Sequence, residues 1–328
     1  MITEVFSGLF QLKIPFPNNP LRDINIYVVK DGDRSLMIDN GIDHPIARYE
    51  LIGDLKKIGV DLHQTAFFIT HYHIDHCSNT PGLADLDSLI YVGKNDIGLL
   101  GFGSPETQAQ LTQHANLMGL PNGNFFGDDN PQPVHPMFDF AAKRGWKFIL
   151  PADGDVIQAG DYTFTCLETP GHSKGHLCLY EMNQKFLLCG DHILQDVTPV
   201  IFSLYRDENP IGDYFASLDK VYQLDITLAL PGHRSFITDI KNRIREIKQH
   251  HEERLNEVLR IVAGDPLNAY QIASKMHWDV AYKSWEQFPG WQRAMATFEA
   301  EAHLRYLSLK HQICERVQGE NIIFFLSY

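Results

Sequence analysis

Long apolar runs are missing from this 328-residue chain. No stretch approaches the roughly 18 consecutive apolar residues that a membrane-crossing helix needs. The opening Met1-Ile2-Thr3-Glu4-Val5 lacks a basic segment leading into an apolar one, so neither a membrane span nor a secretion signal is expected. Cysteine is scarce: five residues, odd in number, with no Cys-x-x-Cys spacing. Reduced thiols in a cytoplasmic protein are the simplest account. Positive charge is scarce as well, with 28 Lys/Arg against 41 Asp/Glu and a formal net charge of −13. Residues 240–328 hold 12 Lys/Arg and 11 Asp/Glu, a net of +1, so residues 1–239 carry −14. A groove that tracks phosphates needs clustered cations, because counterion release supplies most of its affinity. The one basic run, Lys241, Arg243, Arg245 and Lys248, reads as a solvated helix face. Nucleic acid is therefore a disfavoured partner. What remains is an ordinary globular composition, 44% hydrophobic, long enough to bury a sizeable core and to form two domains.

Histidine is where the chain is rich. His71-Tyr72-His73-Ile74-Asp75-His76 places three imidazoles and a carboxylate in six residues, directly after the apolar run Ala66-Phe67-Phe68-Ile69-Thr70. Alternating histidines at a strand end can aim both rings at one point. Neutral imidazole and carboxylate are the donors that zinc and its neighbours prefer. Three further turns each carry a candidate ligand after a glycine: Thr169-Pro170-Gly171-His172, Cys189-Gly190-Asp191 and Leu230-Pro231-Gly232-His233. Each follows a β-rich apolar run, and strand ends gathered on one sheet edge are where open α/β sheets place their sites.

This pattern resembles the metallo-β-lactamase superfamily over about residues 5 to 240. The resemblance implies an α/β fold, an αββα four-layer sandwich, with residues 1–240 as the catalytic domain and an insertion at about 100–147. It also implies two divalent metal ions, most simply zinc, with iron or manganese as alternatives. The first ion would take His71, His73 and His172, the second Asp75, His76 and His233, and Asp191 would bridge both. Asp at 191, where zinc β-lactamases have Cys, makes the chain more similar to the glyoxalase II and general hydrolase branches. Asp39 resembles the aspartate of the family's Asp-Thr-Gly turn, which supports a ligand histidine from behind.

Seven side chains shared by two ions leave coordination positions open, the mark of a catalytic rather than a structural site. The implied chemistry is attack by a metal-bridging hydroxide on a thioester or ester carbonyl, with Asp75 accepting and returning a proton and Asp191 holding the pair together. A small-molecule acyl thioester or ester is the expected substrate. His176 is expected to make an internal hydrogen bond rather than bind metal, His192 is ambiguous, and Cys77 reads as a small buried residue. Arg234 and Lys174 sit beside ligands, where they could meet an anionic substrate or be solvated surface charge.

Elsewhere the spacing predicts helices over 45–58, 106–118, 239–262, 268–276 and 291–309, then a hairpin of 313–317 and 322–326. Met118, Phe125, Phe126, Met137 and Phe138 would give the insertion an apolar face that covers the site or packs on itself. Residues 241–328 resemble the winged-helix-like C-terminal α+β domain of the lactamase-like endoribonuclease and thioesterase branch. Without a basic recognition face, packing or homo-oligomer formation is the expected role of that domain. A metal-dependent endoribonuclease and a metal-dependent DNA-binding regulator are the competing readings.

Overall fold

The computed structural model describes residues 1–17, 19–102, 105–124, 145–202 and 204–326. Phe125, Phe126, Met137 and Phe138 lie outside the described residues. The chain divides into two compact units. The first takes Met1–Ser104, Val134–Pro199 and Ser217–Ile244; the second takes Pro105–Pro133, Val200–Ala216 and Arg245–Tyr328. The sequence suggests a single boundary near 240, whereas the second unit also takes up two earlier stretches.

In the first unit seven strands form one sheet in chain order: β1 (Ile2–Phe6), β2 (Leu9–Pro15), β3 (Asp23–Asp31), β4 (Arg34–Ile38), β5 (Thr65–Ile69), β6 (Ile90–Val92) and β7 (Phe148–Ile149). The first four are antiparallel neighbours, and β4 through β7 pair in parallel. Parallel pairing requires a crossover, which between β4 and β5 is the helix Pro45–Lys57. His44 caps that helix by accepting the Ile46 N–H at Nδ1, Pro45 occupies its first turn, and Lys56 and Lys57 close it. Each feature suits the unpaired groups and partial charge of its helix end.

The second sheet runs β12 (Leu228–Pro231), β11 (Phe186–Gly190), β10 (Leu177–Glu181), β9 (Tyr162–Glu168) and β8 (Val156–Ala159). β10 is antiparallel to both β9 and β11, and β11 is parallel to β12. β9, β11 and β12 therefore run the same way and end at one edge. Between the sheets, Leu36, Ile38 and Phe68 pack with Phe164, Leu179 and Leu188 in a continuous apolar core. Such a face-to-face core fixes strand register, because a one-residue slip would turn every inward side chain outward.

The second unit contains the helix Pro105–Leu117, most of the helix Ile240–Val262, the short helix Ala269–Ala273, the helix Gly290–Leu309 and the hairpin β13 (Ile313–Gln318) and β14 (Asn321–Leu326). Asn268 and Gln271 close a reciprocal capping box at the start of the short helix, satisfying two otherwise orphaned N–H groups. Met118 is fully buried in this unit's core with Val258, Ile272, Leu304 and Phe324. It is a packing residue of that core. The helix Pro210–Tyr222 is not among the expected elements, although its buried Ile211, Tyr214, Leu218 and Val221 follow helical spacing. Among the described residues no helix is long and apolar enough to cross a membrane.

Candidate metal centre

The strand directions converge the expected ligands. Asp39 follows β4 and His71 follows β5, which end together because they are parallel. His73 directly precedes the four-residue helix Ile74–Cys77, which carries Asp75 and His76. His172, Asp191 and His233 follow β9, β11 and β12 at the matching edge of the second sheet. All seven expected ligands meet there, in three groups whose donor atoms lie within 4.8 Å of one another: His71, His73 and His172; His71, His76 and Asp191; and Asp75, His76 and His233. Asp191 Oδ2 is central, at 3.9 Å from His172 Nε2, 3.5 Å from His76 Nε2 and 3.6 Å from His233 Nε2. His233 Nε2 stands 3.1 Å from Asp75 Oδ2, and His71 Nε2 stands 2.9 Å from His73 Nδ1.

Hydrogen bonds behind the rings fix their outward nitrogens. Asp39 Oδ2 lies 2.7 Å from His76 Nδ1 and also accepts the Thr70 hydroxyl at 2.9 Å. Thr70 Oγ1 is in turn 3.0 Å from His71 Nδ1, and the Thr70 N–H donates to Asp39 Oδ1 at 2.8 Å. One buried carboxylate thus orients His76 directly and His71 through a hydroxyl. Asp39 itself has φ +59, a left-handed conformation uncommon outside Gly, Asn and Asp. His233 Nδ1 donates to the Asp23 carbonyl at 2.8 Å. Each of these three rings is held by the nitrogen that faces away from the cluster, the arrangement that supports metal-bound imidazoles.

Burial and charge act in opposite directions across the cluster. Burial, reinforced by neighbouring imidazoles, pushes His71 well below the usual histidine range and takes His73 down to about 3. Burial would also depress His76, but the Asp191, Asp39 and Asp75 carboxylates outweigh it and raise this ring. Burial would lift Asp75, yet His76 and His233 hold it at about 2, and Asp191 is lowered for the same reason. His76 Nε2 and Asp191 Oδ1 are buried with no hydrogen-bond partner among the described residues. A buried polar atom without a partner costs about 1–3 kcal/mol, and divalent ions would satisfy these. The residues present therefore fit a two-ion centre. Gly232 has a spatial reason to be glycine: a Cβ there would sit 2.6 Å from Asp191 Oδ1 and 2.7 Å from His76 Cε1.

The neighbouring residues take other roles. His176 lies 2.9 Å from the Thr169 hydroxyl at Nδ1 and stacks on His71 at 5.2 Å between centroids. It belongs to none of the ligand groups, and neither does His192, which is buried behind them. The Cys77 thiol donates to the Tyr72 carbonyl. Arg234 donates to the Pro20 carbonyl, and Lys174 is exposed. Thr70, which the sequence does not single out, joins Asp39 to His71; its only local signal is a hydroxyl beside a candidate ligand.

Residues 19–233 match the sequence profile of the Metallo-beta-lactamase superfamily. The chain belongs to that superfamily. Membership supports a hydrolase-type enzyme, and the fold implies divalent metal ions. A probable metallo-hydrolase of Bacillus subtilis (strain 168), YqjP, is 25% identical over 99% of this chain and 98% of its own length. The lactamase-like protein aptB of Emericella nidulans is 24% identical over 74% of this chain and 61% of its own. Among solved structures, a metallo-beta-lactamase family protein of Thermus thermophilus aligns with TM-score 0.79 at 23% identity, covering 99% of this chain and 100% of that one. A beta-lactamase domain protein of Burkholderia ambifaria aligns with TM-score 0.76 at 21% identity, over 99% and 95%. At such identities the structural likeness speaks for the fold.

Proposed function

We propose that this chain is a dinuclear metal-dependent hydrolase of a thioester or ester. The observation that carries the reading is the position of Asp191. It stands within 4 Å of a ring from each ligand trio, His172 on one side and His76 and His233 on the other. Five imidazoles and two carboxylates suit zinc, with iron or manganese as outcomes that metal analysis would separate. Bound divalent ions supply Lewis acidity and a water acidified from a pKa of about 16 toward about 7. Asp191 keeps the two trios at fixed spacing, and His233 Nε2 and Asp75 Oδ2, 3.1 Å apart, would hold the same ion. Asp75 is the group to which we assign the proton, taken from the attacking water and returned to the leaving sulfur or oxygen.

A small acyl substrate is favoured over nucleic acid by what the basic run does. Arg243 donates to the carbonyls of Leu194 and Val197 at 2.7 and 2.9 Å, Lys241 lies over the Tyr222 ring, and Lys248 lies over the Phe215 ring. These cations pack on the chain's own groups, while residues 1–239 carry −14 and repel a polyanion at long range. Metal analysis followed by a panel of thioesters, esters, lactones and single-stranded RNA tests the reading. The expected kcat/KM for the best thioester or ester exceeds that for RNA by at least about tenfold, a barrier difference of about 1.4 kcal/mol. An RNA rate above every ester, falling steeply with added salt, would favour the ribonuclease instead.

A further inference from the structure

We infer that Asp96 is the positioning residue that preforms the trio His71, His73 and His172. The inference rests on the metal-binding reading above and adds to it a residue that binds no ion itself. Asp96 is fully buried. Its Oδ2 accepts the Tyr72 N–H at 3.1 Å and the Ser173 hydroxyl at 2.6 Å, and its Oδ1 accepts the Gly175 N–H at 2.6 Å. Tyr72 stands between His71 and His73; Ser173 follows His172 directly. One carboxylate thus bonds to groups adjacent to all three ligands, across two turns that are far apart in sequence and belong to different sheets.

The turn that carries Asp96, closed by its N–H on the Gly93 carbonyl, approaches the His172 turn closely enough to place this carboxylate. A Cβ at Gly93 would collide with the Gly175 carbonyl, and a Cβ at Gly175 would lie 2.7 Å from Asp96 Oδ1. Backbone meets backbone here, and Asp96 accepts the donors that face it. Charge-assisted bonds of this kind are short and strong. Losing the partners behind metal ligands characteristically weakens metal affinity by about tenfold to a hundredfold.

Asp96→Asn keeps the size but turns an NH2 toward one set of donors, so at least one of the three bonds must break. The test is competition of the metal-loaded protein against a chelator, with zinc and with cobalt(II), read as two separate affinities well below the unfolding temperature. Asp96→Asn is expected to lose about tenfold to a hundredfold in one of the two affinities, with a changed cobalt absorption band, while the other affinity stays near wild type. Ser173→Ala removes a single bond and leaves the carboxylate in place. It is expected to shift the same affinity in the same direction by a smaller factor, and it carries the test if Asp96→Asn fails to fold. Wild-type affinities for both ions in Asp96→Asn, or equal weakening of both, would overturn the inference; so would unchanged affinities in Ser173→Ala if only that variant folds. A wild-type protein that binds no divalent ion would instead overturn the metal reading, and the inference with it.

Discussion

Glu301 should make the second unit less stable as pH rises through neutrality, and Glu301→Gln should remove that dependence. Glu301 is 2% exposed in the helix Gly290–Leu309. Its Oε2 lies 4.0 Å from His114 Nε2, too far for a hydrogen bond, and both atoms lack a partner among the described residues. The pair looks ionic by distance, but the environment argues otherwise. Burial pushes Glu301 up to about 8, against the Arg305 and Arg206 cations that lower it and with the Glu315 and Glu208 carboxylates that raise it further. Burial and Arg206 push His114 down to about 4. Between those values both groups are neutral. A carboxyl whose pKa is higher folded than unfolded binds its proton more tightly in the fold, so its contribution is fully present below the ordinary value near 4.5 and is lost progressively up to about 8. At about 1.4 kcal/mol per pKa unit, the shift bounds the loss at roughly 4–5 kcal/mol, and relaxation around the charge should leave on the order of 2. Glutamine imitates the protonated form at every pH. Denaturant unfolding at pH 5.5, 7 and 8.5, with hydrogen exchange on peptides of 290–309, should show the variant close to wild type at pH 5.5 and about 1–2 kcal/mol more stable at pH 8.5. A variant less stable than wild type at pH 8.5, or differing by the same amount at every pH, would show that burial does not hold Glu301 protonated. Glu299, raised to about 7 by burial, adds a slope of the same sign to both proteins and cancels in the difference.

Further outcomes concern the candidate metal centre. Thr70→Val removes the hydroxyl between His71 and Asp39 without changing side-chain size; it should weaken metal binding about tenfold in chelator competition, the lower scale for losing a ligand's support. Asp191→Ala should lower kcat by at least about a hundredfold and reduce metal content. His176→Ala, outside the ligand groups, should act chiefly on thermal unfolding, so equal metal loss in the two variants would show that His176 is misassigned. Gly232→Ala places a Cβ against Asp191 and His76 and should displace one of them; elemental analysis showing full metal content, with unchanged turnover, would mean the turn yields more easily than its packing indicates.

The candidate ligands were legible in the sequence because each stands at the end of an apolar run and the richest of them are contiguous: His71, His73, Asp75 and His76 lie within six residues. Asp39 was legible for a similar reason, in a turn directly after β4. The helix Pro210–Tyr222 follows helical spacing but begins with Pro210 and Gly212, residues that also read as punctuation. Met118 was harder, since an apolar residue at the end of a surface-like helix gives no sign of which core it will enter, and here it enters the second unit's. Asp96 shows where local reading ends. No motif marks it, and its three donors come from Tyr72, Ser173 and Gly175, up to 79 positions away. Two glycines, Gly93 and Gly175, let its own turn touch the one that follows His172, and neither glycine sits in a recognisable motif. A strand-end histidine declares its chemistry through its own side chain, whereas a carboxylate that sets the spacing between such histidines acquires its role only when the two sheets close on one another. The candidate ligands were therefore easier to find than the carboxylate that we infer positions three of them.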